Sequence, residues 1–178
     1  EFITHTGYYN GTRISALATG IGTDNIDIVL NELDALVNID FESRSIKKEH
    51  TSLNIIRIGT SGALQKDIEI DSMLMAEMGV GFDGLMHYYA NSEEVIEQEI
   101  SNVFTNYMNW DDALAKPYFV KASSNLLIKA GDRFLKGITA TAPGFYGPQG
   151  RQLRLQPKIE NYNQRLSEFR YEGNSISN

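Results

Sequence analysis

The sequence contains no cysteine among its 178 residues. This absence excludes disulfide bonds and thiolate metal ligands, and it agrees with a reducing cytoplasm, where we expect the protein to be located. The apolar stretches are short and interrupted, so the sequence predicts neither a signal peptide nor a membrane-spanning helix. The three histidines, His5, His50 and His87, share no spacing typical of a metal site, and we expect no bound metal.

Positive charge is also scarce. The chain has 16 Lys and Arg against 23 Asp and Glu, which gives a net charge of −7. A chain this acidic lacks the broad basic surface that nucleic acid requires, so any phosphate has to be held by a local site. Hydrophobic residues make up 42% of the sequence, which is ordinary for a globular protein. The length is sufficient for one domain with a sizeable core.

Strand and helix patterns alternate along the chain. The Asn10-Gly11 pair between two β-leaning runs predicts a hairpin, and Thr23 or Asp24 is expected to cap the next helix. The near-continuous apolar run 53–58 predicts a strand covered on both faces. The other predicted elements are strands at 14–19, 72–80 and 135–141, an extended run at 118–122, helices from Ser92 and over 124–134, and a polar surface excursion at 40–52. This alternation predicts an α/β fold with a mostly parallel or mixed sheet.

A small-residue loop, Gly-Thr-Ser-Gly at 59–62, follows the apolar run. Arg57 lies inside that run, and a buried guanidinium requires an anion or a carboxylate beside it. With the hydroxyls of Thr60 and Ser61, three donors fall within five residues, which favours an anion site. The alternatives are a structural ion pair for Arg57 and hydroxyls that only stabilise a turn. The spacing fits neither a P-loop nor a dinucleotide fingerprint, and no Lys follows.

The segment 145–151, Phe-Tyr-Gly-Pro-Gln-Gly-Arg, combines an aromatic ring, a carboxamide and a guanidinium. A ring can stack on a flat heterocycle, a carboxamide offers one donor and one acceptor, and a guanidinium offers only donors. This set matches the carbonyl, N–H and carbonyl edge of uracil. Taken singly, Gln149 and Arg151 would be solvated loop residues, and Phe145 and Tyr146 would be core. Combined with the anion loop, the segment suggests a nucleoside and a phosphate as ligands.

Three segments, 15–22, 56–63 and 145–151, resemble the nucleoside phosphorylase family, and in particular its uridine phosphorylases. The match runs in order along nearly the whole chain and is interrupted mainly at 40–52. The Arg-x-Gly-Thr-x-Gly pattern is shared by uridine and purine members, whereas Gln-x-Arg after Phe-Tyr is typical of the uridine type. The resemblance implies one α/β domain over 1–178, a three-layer sandwich whose central mixed, partly barrel-like sheet is flanked by helices.

The resemblance also implies roles for individual residues. Arg151 would be catalytic by stabilising the leaving base, and with Gln149 it would contact the base carbonyls and N3. Phe145 would stack on the base. Phosphate would be bound by Arg57, Gly59 and Thr60; Thr60 would also lie near the ribose, and Ser61 and Gly62 would edge the base pocket. The family's N-terminal phosphate-binding strand, an arginine lent to the neighbouring subunit and a ribose-binding Met-Glu segment are expected outside 1–178, so the domain is expected to be incomplete at both ends.

The implied reaction is phosphorolysis of uridine, with thymidine and deoxyuridine as further substrates, in a homodimer or homohexamer. Phosphate is a co-substrate, and the chemistry requires no metal, covalent nucleophile or organic cofactor. Some members bind a monovalent cation at a subunit interface near the positions of Glu1, Ile21 and Asn25; because Asn25 replaces an expected hydroxyl, the cation stays open. The alternatives are a purine nucleoside phosphorylase, a nucleosidase of the same fold, and a non-catalytic nucleoside-binding protein.

Overall fold

The computed structural model describes residues 2–178, and the chain divides into two compact units, one ending at Ile58 and one running from Gly59 to Asn178. The first unit opens with an antiparallel hairpin of β1 (Thr4–Tyr9) and β2 (Thr12–Leu17). Asn10 and Gly11 have φ angles of 48° and 78°, as a two-residue turn of the I′ type requires. The hairpin predicted from the Asn-Gly pair is confirmed.

Helix α1 (Thr23–Asn38) follows the hairpin. Its N-cap is Gly22, at φ 113°, and no side chain caps the helix, so the expected cap at Thr23 or Asp24 is wrong. Both residues already lie in the first turn, where the Asp24 carboxylate favours the positive end of the helix dipole. A glycine can end the preceding loop at this positive φ without the steric cost that a side chain brings.

The first unit closes with an exposed ribbon and an extended tail. Strands β3 (Ile39–Asp40) and β4 (Ser45–Ile46) pair antiparallel, and residues 40–52 are exposed, as expected of a surface excursion. The buried Asn38 donates to the carbonyl of Thr51 and accepts from its N–H, at 3.2 and 2.8 Å. These two bonds fix the return of the excursion to the end of α1.

The predicted strand at 53–58 is not formed. The segment pairs with no described strand, and all six residues are exposed, with Ile58 at 92%. An apolar run indicates residues that gain from burial, but a strand also needs a neighbouring backbone to pair with its N–H and C=O groups. No backbone among residues 2–178 supplies these partners.

The second unit is built on a mixed three-stranded sheet. Strand β5 (Leu74–Gly81) lies between β6 (Tyr118–Lys121), which is antiparallel to it, and β7 (Leu135–Thr141), which is parallel. Beside β7, residue Ile176 forms a parallel bridge to Ile138. A short ribbon of β8 (Arg170–Tyr171) and β9 (Asn174–Ser175) leads into this terminal segment. The mixed sheet and its helices confirm the predicted α/β class.

The helices of the second unit differ from the predictions at their ends. They are α2 (Gln98–Met108), α3 (Ser124–Ala130) and α4 (Tyr162–Glu168), with single 3-10 turns at Leu85–Tyr88, Ser92–Glu94 and Gly147–Gln149. The helix expected from Ser92 begins six residues later because Ile96 bridges Val120 and the Glu97 N–H donates to the Phe119 carbonyl at 2.8 Å. The helix expected to reach residue 134 ends at Ala130, since Gly131 adopts φ 65°.

An aromatic core supports the sheet. Phe104 of α2 packs edge to face on Phe119 and Phe169, with ring centroids 5.3 and 5.0 Å apart, and all three rings are buried. Phe82, directly after β5, stacks on Phe104 at 5.7 Å. Each such ring contributes on the order of 1.5–3 kcal/mol by leaving water. No described helix is long and apolar enough to cross a membrane.

Candidate functional site

The candidate site lies at the carboxyl end of β7. Strands β5 and β7 are parallel, so their carboxyl ends share one edge of the sheet, the edge where ligands gather in open α/β sheets. The Phe82 N–H, directly after β5, donates to the carbonyl of Thr141, the last residue of β7, at 2.9 Å. This bond holds the ends of the two strands together. The segment 145–151, which we call the base loop, leaves the sheet at this point.

Internal hydrogen bonds fix the backbone of the base loop. The Tyr146 carbonyl accepts from the N–H groups of both Gln149 and Arg151, each at 2.9 Å. The Gly150 N–H donates to the Gly147 carbonyl at 3.0 Å and closes the 3-10 turn. Two short local bonds onto one carbonyl place Gln149 and Arg151 in a defined relation to each other.

A close contact with α4 fixes the loop against the core. Gly150 has φ 66°, and a Cβ built on it would lie 2.9 Å from the Cβ of Tyr162. Tyr162 is buried, and its ring packs edge to face on Phe82 with centroids 6.0 Å apart. The base loop therefore lies directly on the aromatic core that supports the sheet.

The side chains of the base loop remain available to a ligand. Phe145 and Tyr146 are 53% and 60% exposed, so neither is the core residue that an isolated aromatic suggests. Arg151 is exposed and Gln149 is half-buried. A fixed backbone with accessible ring, carboxamide and guanidinium groups can stack on a heterocycle and donate hydrogen bonds to its carbonyls.

Asn178 links the Gly-Thr-Ser-Gly segment 59–62, the anion loop, to the same end of β7. Its amide nitrogen donates to Ser61 Oγ, and its Oδ1 accepts from Thr139 Oγ1 at 2.9 Å. The Asn178 carbonyl accepts from the N–H of Ala140 at 2.7 Å. Just beyond the loop, the Leu64 N–H donates to the Ser177 carbonyl at 2.8 Å. Within the second unit, the anion loop and the base loop thus meet the same strand end.

Arg57 does not have the environment expected from the sequence. It lies in the first unit, it is exposed, and it forms no ion pair with any carboxylate in residues 2–178. The prediction of a buried Arg57 guanidinium is therefore wrong, because the apolar run around it is itself exposed. The alternative of a structural ion pair finds no described partner either. Gly59, Thr60 and Gly62 are also exposed, which leaves the loop open to solvent.

The turn after β5 is held by a tyrosine and a carboxylate. Tyr118 Oη donates to Asp83 Oδ1 at 2.7 Å, and the Leu85 N–H donates to the same oxygen at 2.7 Å. Burial, followed by the bond to Asp83, raises the pKa of Tyr118 above its usual range. Gly81 is required here, since a Cβ on it would collide with the Tyr118 ring. The side chains of Tyr118 and Asp83 are therefore hydrogen-bonded to each other, and they fix the turn that follows β5.

An ion pair anchors the chain beyond the base loop. Lys158 Nζ lies 2.7 Å from Asp111 Oδ2, and the pair joins the segment before α4 to the segment after α2. The bond from Lys158, followed by one from the Ala113 N–H, holds the pKa of Asp111 below its usual range. The neighbouring Trp110 ring stacks on Phe82 with centroids 5.3 Å apart. The chain is thus anchored on both sides of residues 152–157.

Two clefts lie away from the base loop. Both are in the first unit, with volumes near 660 and 270 Å³, and none of the residues predicted to bind phosphate or nucleoside lines either of them. The larger contains Asn25, whose Nδ2 donates to the Ile21 carbonyl at 2.9 Å. This bond leaves the Asn25 Oδ1 and a second lone pair of the Ile21 carbonyl as oxygen ligands, so the monovalent cation stays a prediction; Glu1 lies outside the described residues. No group of three His, Asp or Glu residues that could hold a metal ion occurs in the described chain.

Three residues that shape the site were not identified from the sequence. Tyr162, Thr139 and Asn178 carry no local motif, and Asn178 contacts Ser61 across 117 positions. The parallel pairing of Ile176 with Ile138 of β7 brings the neighbouring Asn178 to the anion loop. These three residues are therefore identified by tertiary contacts, which the local sequence does not specify.

The mixed sheet and its helices define an α/β protein with a nucleoside phosphorylase fold. A Trypanosoma brucei nucleoside phosphorylase that shows uridine phosphorylase activity superposes with a TM-score of 0.80 at 27% identity, over 98% of this chain and 65% of that one. The family model described as the phosphorylase superfamily matches residues 1–168. The chain belongs to this superfamily.

Curated relatives of two substrate types are similar to the chain. A uridine phosphorylase of Thermococcus kodakarensis is 31% identical over 151 residues, which is 85% of this chain and 43% of the relative. A DeoD-type purine nucleoside phosphorylase of Brevibacillus brevis is 29% identical over 157 residues, 88% of this chain and 53% of the relative. The chain thus spans about half the length of these relatives.

Proposed function

We propose that the full chain catalyses the phosphorolysis of uridine to uracil and ribose 1-phosphate in nucleoside salvage, with thymidine and deoxyuridine as further substrates. One observation carries this proposal. The base loop is fixed to the core at Gly150, while Phe145 and Arg151 are exposed and Gln149 is half-buried near the end of β7. A rigid backbone that presents these three groups is suited to a flat base with two carbonyls.

Base recognition follows from the hydrogen-bonding capacities of the loop. The Gln149 carboxamide can donate to one uracil carbonyl and accept from N3–H, and the Arg151 guanidinium can donate to the second carbonyl. The exposed ring of Phe145 can stack on the base. Adenine would set its amino donor against a donor and leave groups unpaired, at a cost of about 1–3 kcal/mol for each buried group. This pattern favours a pyrimidine dione over an aminopurine.

The reaction requires positioning and charge stabilisation. A phosphate oxygen forms a bond to the anomeric carbon while the bond from that carbon to N1 of the base breaks. The electron pair of the broken bond passes into the base and spreads onto its carbonyl oxygens, and N1 then takes a proton. Arg151 would donate to a carbonyl on which this charge develops, a type of interaction that contributes about 3–4 kcal/mol to transition-state stabilisation.

We assign phosphate to Arg57, Gly59 and Thr60. The anion loop supplies backbone N–H groups and the Thr60 hydroxyl, and both Gly59 and Thr60 are exposed. The exposed guanidinium of Arg57 has no carboxylate partner among residues 2–178, so it is free of competition for an anion. Fixing phosphate beneath the anomeric carbon would supply the proximity that phosphorolysis needs.

A purine nucleoside phosphorylase is the second candidate, because DeoD-type purine enzymes are among the relatives, one of them 42% identical over 71 residues. The Gln-x-Arg pair of the base loop favours the uridine reading. For either substrate we propose a cytoplasmic homodimer or homohexamer; the location rests on the lack of cysteine and the assembly on the family resemblance.

A substrate panel tests the proposal. The full chain is incubated with phosphate and, separately, uridine, thymidine, inosine or adenosine, and release of the free base is followed by chromatography. We expect uridine to have the highest kcat/KM and adenosine the lowest. Preference for inosine or adenosine would transfer the assignment to the purine enzymes. Binding of uridine without any base release would instead favour a non-catalytic nucleoside-binding protein.

A further inference from the structure

Ser61 is the one anion-loop side chain with a described internal hydrogen bond, and it is the acceptor in that bond. Asn178 donates its amide N–H to Ser61 Oγ, so the hydroxyl oxygen already serves as an acceptor. The hydroxyl proton of Ser61 is not used in this bond, and the residue is exposed. A hydroxyl in this state offers its proton to an incoming acceptor.

The orientation of the Asn178 amide is itself set by β7. Thr139 Oγ1 donates to Asn178 Oδ1 at 2.9 Å, which turns the amide nitrogen towards Ser61. The backbone of Asn178 is fixed in the same place, because its carbonyl accepts from the Ala140 N–H at 2.7 Å. Each group in this hydrogen-bond chain therefore donates to the next: Thr139 donates to Asn178, and Asn178 donates to Ser61.

We propose that Asn178 is a positioning residue, oriented by Thr139, that makes Ser61 a hydrogen-bond donor to an acceptor oxygen of the bound substrate. The inference rests on the proposed function and adds to it a residue outside both loops. Phosphate oxygens and base carbonyls share the acceptor chemistry, and an affinity measurement for each ligand separates them. Asn178 itself need not touch the ligand, because its role is to determine which way Ser61 donates.

Reversing the hydrogen-bond chain is the direct test. In Asn178→Asp the carboxylate cannot donate, and it would accept the Ser61 proton instead, which removes the donor offered to substrate. Binding of inorganic phosphate and of uracil to the full chain is measured by calorimetry, beside the KM for phosphate and for uridine. We expect Asn178→Asp and Ser61→Ala to weaken the same one ligand by about tenfold or more, with the other ligand little changed.

Matched variants separate positioning from folding. Thr139→Ser keeps the hydroxyl and should retain near wild-type affinity, whereas Thr139→Val keeps the shape and should weaken the same ligand as Asn178→Asp. Asn174→Asp adds a carboxylate at an exposed position of β9 and should leave both affinities unchanged. The double variant Asn178→Asp with Ser61→Ala should lose no more than either single variant, since both remove one interaction.

Different outcomes refute the positioning role of Asn178 and the proposed function. Wild type that releases no uracil from uridine would refute the function, whereas the calorimetric comparison addresses Asn178 whether or not turnover occurs. The positioning role is overturned if Asn178→Asp retains both affinities, if losses in the double variant multiply, or if wild type binds neither ligand. It is also overturned if Thr139→Ser and Thr139→Val behave alike, or if loss of affinity only follows a fall in melting temperature.

Discussion

Gly150 and Tyr162 are in direct contact: a Cβ added to Gly150 would lie 2.9 Å from the Cβ of Tyr162 and 3.1 Å from its ring. Gly150 also adopts φ 66°, in the left-handed region. The turn of the base loop therefore has two separate reasons to require glycine. Because Tyr162 belongs to the core, this contact joins the geometry of the loop to the stability of the second unit.

Gly150→Ala is expected to destabilise the protein by about 1–3 kcal/mol, from the left-handed backbone and from the displaced ring. Gly147→Ala is the matched control in the same loop, since its Cβ would meet nothing within 4 Å and its φ is not positive. Thermal melting of the two variants checks the prediction. Equal melting temperatures would show that the loop does not depend on the Tyr162 contact.

Arg151→Ala and Gln149→Ala are each expected to lower kcat/KM for uridine by about tenfold to a thousandfold, as loss of hydrogen bonds to a developing oxyanion does. Affinity for phosphate should change little, because both side chains are assigned to the base. Arg154→Ala and Gln152→Ala supply controls of the same chemistry, at exposed positions just beyond the loop. Variants of Gln149 and Arg151 that keep full uridine activity would remove the basis of the pyrimidine assignment.

Stability is expected to fall in alkali because of Tyr162. Burial raises the pKa of Tyr162 above its usual range, so the folded state binds this proton more tightly than the unfolded state does. Its contribution is complete below the ordinary tyrosine pKa of about 10 and is lost as pH rises beyond that value. Between about pH 9 and about pH 11, the melting temperature of Tyr162→Phe should therefore fall less than that of wild type. Tyr88→Phe, at an 87% exposed position, should follow wild type, and identical profiles for all three proteins would contradict the assignment.

The full chain is expected to form at least a dimer, because the resemblance to nucleoside phosphorylases places the active sites at subunit interfaces. Light scattering on the purified full chain measures the mass in solution. An active protein with the mass of a single subunit would refute shared sites. The same sample can be assayed across dilution, and activity that falls as the assembly dissociates would support them.

Local signals predicted several elements well. Asn10 and Gly11 specified the hairpin because two positive φ angles are required there, and few residue pairs tolerate them. Strand β7 has the predicted bounds, and the polar segment 40–52 is exposed as expected. For the hairpin and the polar segment, the residues carry the physical requirement themselves: a backbone conformation in the first case and a preference for water in the second.

The predictions that were wrong concern residues whose structure depends on contacts with residues distant in the sequence. The run 53–58 is apolar but forms no strand, and Arg57 is exposed with it. Helix α2 starts late because pairing of Ile96 with Val120 competes with the helix signal at Ser92. The bond from Asn178 to Ser61 depends on a parallel pairing that no local pattern specifies. The base and anion loops could be predicted as motifs, but their supporting residues could not.

Release of uracil from uridine with and without phosphate tests the central claim most directly. The full chain is freed of phosphate, incubated with uridine, and assayed for uracil and for ribose 1-phosphate as inorganic phosphate is added. Phosphorolysis predicts negligible uracil without phosphate, a saturable rise with it, and ribose 1-phosphate equal in amount to uracil. Equal rates with and without phosphate, with free ribose as the sugar product, would show hydrolysis and contradict the proposed function.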